Sequence, residues 1–98
     1  MADKTATRQM AEPKTLVLKK SDVTVVYDAG FVAGDTIAAQ RAAGRDAHKF
    51  GLYLLQRVAT FNGAAWSAQE IEERLKGMDY LTLQGAILGG DEADAGNA

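Results

Sequence analysis

Cysteine is absent from this chain, and proline, histidine and tryptophan occur once each in 98 residues. Without cysteine there is no disulfide scaffold, no thiolate metal site and no cysteine nucleophile. The lone histidine, His48, stands beside Asp46 and Lys49 at the start of an apolar segment. It has no companions at metal-ligand spacing, so it reads as a solvated helix-start residue. Long apolar runs are missing too. None approaches the roughly 20 residues that cross a bilayer, and the N-terminus lacks the apolar stretch of a signal peptide. The expected compartment is the cytoplasm of the producing cell.

Charge of one sign is also scarce. From Lys14 to Gly90 there are nine basic and eight acidic residues, a net of +1. The last eight residues add Asp91, Glu92 and Asp94 without a base. A nucleic-acid binder concentrates basic residues on one face. Here Lys19-Lys20 is only a pair in a polar turn. A helix-turn-helix reading of 67–88 fails on the same ground, because its second helix carries no donor for phosphates or base edges.

Catalytic groupings are missing in the same way. Glu70, Glu72 and Glu73 are accounted for by a helix cap and by solvent, and a chain this small offers little cleft. Ser21 and Ser67 are explained by a turn and a cap. The ten glycines contain no phosphate-loop pattern. The expectation is a protein that is not an enzyme and carries no catalytic residue, cofactor or metal.

What is present is helix punctuation. Residues 1–13 have no period and end at Pro13, so they read as a disordered arm. Residues 91–98 read as a disordered acidic tail. The domain is expected over 14–90. Thr15 to Leu18 and Val23 to Tyr27 are rich in β-branched residues and flank the turn Lys19-Lys20-Ser21-Asp22, which predicts a β-hairpin. An isolated hairpin is marginal in water, so it must pack on helices or pair with another chain.

Four short helices follow. Asp35 is expected to cap a helix over 36–43 that Gly44 ends. Asp46 is expected to cap one over 47–61. There Ala47, Phe50, Leu54, Val58 and Phe61 make one apolar face, and Leu52, Leu55 and Ala59 make an adjacent one. That arc is wider than a surface helix needs, so the helix is central or part of the arc meets another chain. After an Asn62-Gly63 turn, Ser67-Ala68-Gln69-Glu70 matches a capping box. Trp66 and Ile71 stand at hydrophobic-staple spacing around it. Gly77 is expected to end this helix. Asp79 is expected to cap the last one, whose Tyr80, Leu81, Leu83, Ile87 and Leu88 are nearly all apolar before Gly89-Gly90. The fold class is α+β, predominantly helical, with an N-terminal hairpin and four short helices. The surplus apolar faces make Leu52, Tyr53, Leu55, Tyr80, Leu81 and Leu88 the candidate partner-binding residues.

The ordered pattern resembles a known family. A hairpin leads to Gly34-Asp35 and Ala38-Ala39-Gln40-Arg41-Ala42-Ala43-Gly44. A helix with Leu54-Leu55 follows, then Phe61-Asn62-Gly63, a capped helix to Leu75-Lys76-Gly77, and Met78-Asp79-Tyr80-Leu81-Thr82-Leu83. Over about residues 15–89 this is similar to the small tail assembly chaperones of long-tailed bacteriophages, in particular the Mu-like tail assembly proteins. Leu75, Asp79, Tyr80 and Leu83 fall on that family's closing pattern. The hairpin here is shorter than in many relatives. The resemblance implies a non-enzymatic viral protein in the host bacterial cytoplasm. It would bind the tape measure protein, keep it soluble and help tail tube subunits assemble around it. A homo-oligomer would suit a long partner, and neither nucleic acid nor membrane is expected as a partner. Two other classes compete: a small regulatory or anti-defence phage protein acting as a stoichiometric inhibitor, and a minor structural tail protein. The near-neutral body favours the chaperone over an acidic mimic of nucleic acid.

Overall fold

The computed structural model describes residues 10–90. The chain forms β1 (Pro13–Leu18), β2 (Val23–Asp28), α1 (Ala33–Ala43), a 3₁₀ turn (Ala47–Lys49), α2 (Phe50–Val58), β3 (Ala59–Phe61), α3 (Ala68–Arg74) and α4 (Gly77–Gly85). A wider π-type turn, Ala86–Gly90, continues α4. This is the expected helix-rich α+β fold, with the hairpin first and four helices after it. The acidic tail over 91–98 and residues 1–9 of the arm lie outside the described residues. Residues 11–13, read as arm, belong to the fold. The carboxylate of Asp28 accepts from the amides of Ala11 (3.1 Å), Glu12 (2.9 Å) and Gly30 (2.8 Å). A buried carboxylate with three amide donors is a satisfied one, so it ties the entering chain to the end of β2.

The sheet has the order β1-β2-β3, antiparallel throughout, with Leu18 opposite Val23 and Val25 opposite Phe61. Period-two alternation puts Val23, Val25 and Tyr27 on the inner face, while Thr24 is exposed. The third strand was not expected. The apolar spacing predicts that residues 59–61 end a helix over 47–61. Instead the 3₁₀ turn precedes α2, and α2 ends at Val58. Ala59 is extended, at φ −136° and ψ 155°. The reason is local. Thr60 and Phe61 suit a strand, and Asn62-Gly63 has both residues at positive φ (52° and 81°), the conformation of a tight hairpin turn. Phe61 and Ala64 exchange backbone bonds across it, at 2.7 and 3.0 Å. Asn62 also bonds to both backbone groups of Thr24, accepting through Oδ1 (2.9 Å) and donating its amide to the carbonyl (2.8 Å). The turn is thereby stitched to β2.

Other helix boundaries differ from expectation as well. α1 begins at Ala33, so Asp35 occupies its third position rather than its cap. Its carboxylate reaches back to the amide of Val32 (3.0 Å) and pairs with Arg57 Nε of α2 (3.0 Å). Gly44 ends α1 as expected, at φ 61°. α3 stops at Arg74, so Gly77 opens α4 instead of closing α3. Asp79 is the third residue of α4, not its cap. The Ser67 box is as expected. Glu70 N donates to Ser67 Oγ (3.1 Å), and Ser67 N donates to Glu70 Oε1 (2.9 Å). Gln56 of α2 adds a bond from the Ala68 amide (2.8 Å), so α3 starts where both its own cap and α2 place it.

The core lies between the sheet's inner face and the helices. Leu54, Leu55, Val58, Ala59 and Phe61 are wholly buried beside Val25, Ile71 and Leu83. Trp66 stacks on Phe61 with ring centroids 4.6 Å apart, and the Arg74 guanidinium covers its ring at 4.9 Å. Trp66 and Ile71 are both buried in this cluster, in keeping with the staple.

Candidate partner-binding surface

The six candidate residues separate into two sets. Leu55 is wholly buried and Leu52 nearly so. Both are held inside α2, between its neighbours, and offer almost no surface. Tyr53 and Tyr80 are half-buried, whereas Leu81 is 58% and Leu88 41% exposed. The surface with apolar area to offer is therefore α4, and sequence reasoning missed its most exposed member, Met78, at 61%.

The layout of α4 follows from its spacing. Asp79, Leu83 and Ile87 point into the domain and are buried. Met78, Leu81, Gly85 and Leu88 are exposed and spaced by threes and fours, which places them on one outer stripe. Without that stripe, α4 would be an ordinary half-buried helix. With it, Met78 and Leu81 of α4 and Leu88 of the π-type turn that continues it put three large apolar side chains in water. Scattered apolar side chains on a surface are ordinary, but a contiguous row marks an interaction site. Val17 on edge strand β1 is a further exposed apolar residue, at 59%.

The N-terminus of α4 is fixed by a long-range clasp. Asp79 Oδ2 accepts from the amide of Ser21 at 2.6 Å, and Ser21 Oγ accepts from the amide of Lys76 at 2.8 Å. The β1–β2 turn thus binds the first turn of a helix more than 50 residues away. Asp79 is buried, so the bond also satisfies a carboxylate that would otherwise be costly there. The sequence signal was half visible, as an acidic residue near a helix start. Its partner was not, because Ser21 is explained equally well by its own turn.

α4 meets α2 at close range. A Cβ on Gly51 would lie 2.7 Å from Gln84 Nε2 and 2.8 Å from Tyr80 Oη, so a larger residue there would push these two side-chain ends aside. Burial raises the Tyr80 phenol above its usual pKa, and the nearby Glu72 carboxylate adds to the shift. Glu72 also lines a half-open groove of 620 Å³ with Lys49, Leu52, Tyr53, Gln69 and Glu73. This second surface is mostly polar. Among the described residues no group of three or more His, Asp or Glu could hold a metal. No described helix is long and apolar enough to cross a membrane.

Comparisons with protein-family models, with curated proteins and with solved structures find no match.

Proposed function

We propose that this chain is a non-catalytic protein-binding domain of the phage tail assembly chaperone type. Its partner is the tape measure protein of the same phage, and it works in the host bacterial cytoplasm to assist tail tube assembly. The observation that carries this reading is the exposed stripe of Met78 and Leu81 on α4 and Leu88 on the turn that continues it. An amphipathic helix presents apolar residues at the same three- and four-residue spacing, so two such stripes fit one another. A tape measure protein is a long helical chain with such stripes. Covering them while the tail tube grows would keep it soluble. Tyr80 borders it on the α2 side, where its hydroxyl reaches Gly51, whereas Leu52 and Leu55 lie in the core and Tyr53 lines the groove between α2 and α3.

The test is co-expression with the tape measure protein of the same phage. The expected result is a rise in soluble tape measure protein and a complex that co-purifies. Binding should change little with salt, since apolar contact and not charge holds it. A tape measure protein that stays insoluble and uncomplexed would sink the reading. So would binding that tracks nucleic acid and falls steeply with salt.

A further inference from the structure

α3 and α4 are started by different means. α3 carries its own start in the Ser67–Glu70 box. The N-cap of α4, Lys76, makes no side-chain bond to the helix it opens. Its amide donates instead to Ser21 Oγ, and the Asp79 carboxylate in the first turn of α4 accepts from the Ser21 amide. The start of α4 is thus completed by a turn more than 50 residues away. Within itself α4 is weak. It has nine residues, fewer than the roughly 12–15 at which an isolated helix becomes marginal in water. Glycine, the poorest helix former after proline, stands at both its ends, as Gly77 and Gly85. Thr82 Oγ1 donates back to the Met78 carbonyl (3.0 Å), a bond that slightly destabilises a helix.

The attachments of α4 to the rest of the domain are separable from the others. Leu83, and Ile87 in the turn that continues the helix, are buried in the core. Tyr80 and Gln84 lie over Gly51 of α2 but bond to each other (3.4 Å). The connection from α3 is Leu75 and Lys76, both extended, and Leu75 is buried as an anchor. Detaching α4 breaks no strand pairing, since β1, β2 and β3 bond to one another. A short helix held by a few contacts and by a remote turn is the kind of element that opens below the cost of global unfolding.

We propose that α4 opens as a unit, ahead of the rest of the domain, and that the Ser21–Asp79 clasp is the latch that holds it shut. Leu75 and Lys76 form the hinge. Opening carries Leu83 out of the core and adds this inner side of α4 to the Met78 and Leu81 side that is already exposed. The inference concerns this chain alone and rests on its bonds and burial, so it stands whether or not the proposed partner is the right one.

Hydrogen exchange of the full chain, read amide by amide by NMR across low urea concentrations, tests this. The amides of residues 81–85 should exchange through one shared opening. Its urea dependence should lie well below that of the amides in α2 and β2, because less surface is exposed. Ser21→Ala should speed exchange in α4 by about fivefold and Asp79→Ala by about thirtyfold, the worth of a neutral and of a charged hydrogen bond. Gly77→Ala should slow it by roughly two- to fivefold, because it takes freedom from the open form. A Cβ there meets nothing within 4 Å, so the closed form accepts it. Three results would overturn the proposal. One is exchange in α4 with the rate and urea dependence of α2, which would mean that α4 opens only with the whole domain. Another is loss of protection in β2 through the same opening as α4. The third is exchange in α4 indifferent to both Ser21→Ala and Asp79→Ala, which would place the latch elsewhere. None of these measurements involves the tape measure protein, so the two readings can fail separately.

Discussion

α2 and α4 are the two most apolar helices of the chain, each of nine residues, and they end in opposite situations. Leu52, Leu54, Leu55 and Val58 of α2 are all buried. α4 and the π-type turn that continues it hide Leu83 and Ile87 and leave Met78, Leu81 and Leu88 in water. Composition does not distinguish them; position does. α2 lies against α1, α3 and the sheet, and so its wide apolar arc is covered on every side. α4 is clasped by the β1–β2 turn, its side chains reach α2 at Gly51, and among the described residues its outer face stays exposed. An apolar arc wider than a stripe therefore means a central helix in one place and an open surface in the other.

The sharpest way to break this comparison is to truncate one leucine from each helix. Leu54→Ala should cost about 3–4 kcal/mol of unfolding free energy, the range for a buried leucine whose cavity only partly closes. Leu81→Ala should fall within about 0.5 kcal/mol of the parent chain. Urea melts of the two variants measure both. Equal losses would mean that the outer face of α4 is covered in the monomer.

The clasp comes next in size. Asp79→Ala leaves the Ser21 amide without its acceptor and should cost about 2 kcal/mol. Ser21→Ala removes the other bond, and the double variant should cost less than the sum of the singles, since both bonds secure one contact. Strict additivity would show that the turn and the helix do not act together. Removal of the Ser67 hydroxyl is a smaller and purely local change. Ser67→Ala should lower stability by about 1 kcal/mol without altering α4 or its binding. An unchanged melting midpoint would mean that α3 does not depend on its capping box.

The contrast between these two caps shows how much the sequence could reveal. The Ser67–Glu70 box is written within four residues, and it is read correctly. The hairpin is legible for the same reason, since its strands and turn are contiguous. Asp35 and Asp79 were recognisable as helix-start acids, but each works at long range, on Arg57 and on Ser21, and the boundaries set by local rules shifted accordingly. β3 was hidden because Val58 to Phe61 continues an apolar helical period. Only pairing with β2 makes it a strand. The site divides along the same line. Leu81 and Leu88 could be named from their apolar segment. That Leu52 and Leu55 are interior, and that Met78 is the most exposed of the stripe, depends on which elements pack where.

The smallest expected effect is one of pH. The Tyr80 phenol has a raised pKa in the folded chain, first through burial and then through Glu72. The folded state therefore holds this proton more tightly than the unfolded state does. The stabilisation is fully present below the usual phenol value of about 10 and is lost as pH rises through the higher folded value. Tyr80→Phe should remove that component of the alkaline decline in melting temperature. An identical decline in the variant would assign it to another group.

The central claim is that the outer stripe of α4 binds a helical partner and does not hold the monomer together. Leu81→Asp and Leu88→Asp, co-expressed with the proposed tape measure partner and followed by circular dichroism melts, test it most directly. The account predicts melts close to that of the parent chain and loss of the co-purifying complex. Folded variants that still recover the complex at the parent level would contradict it.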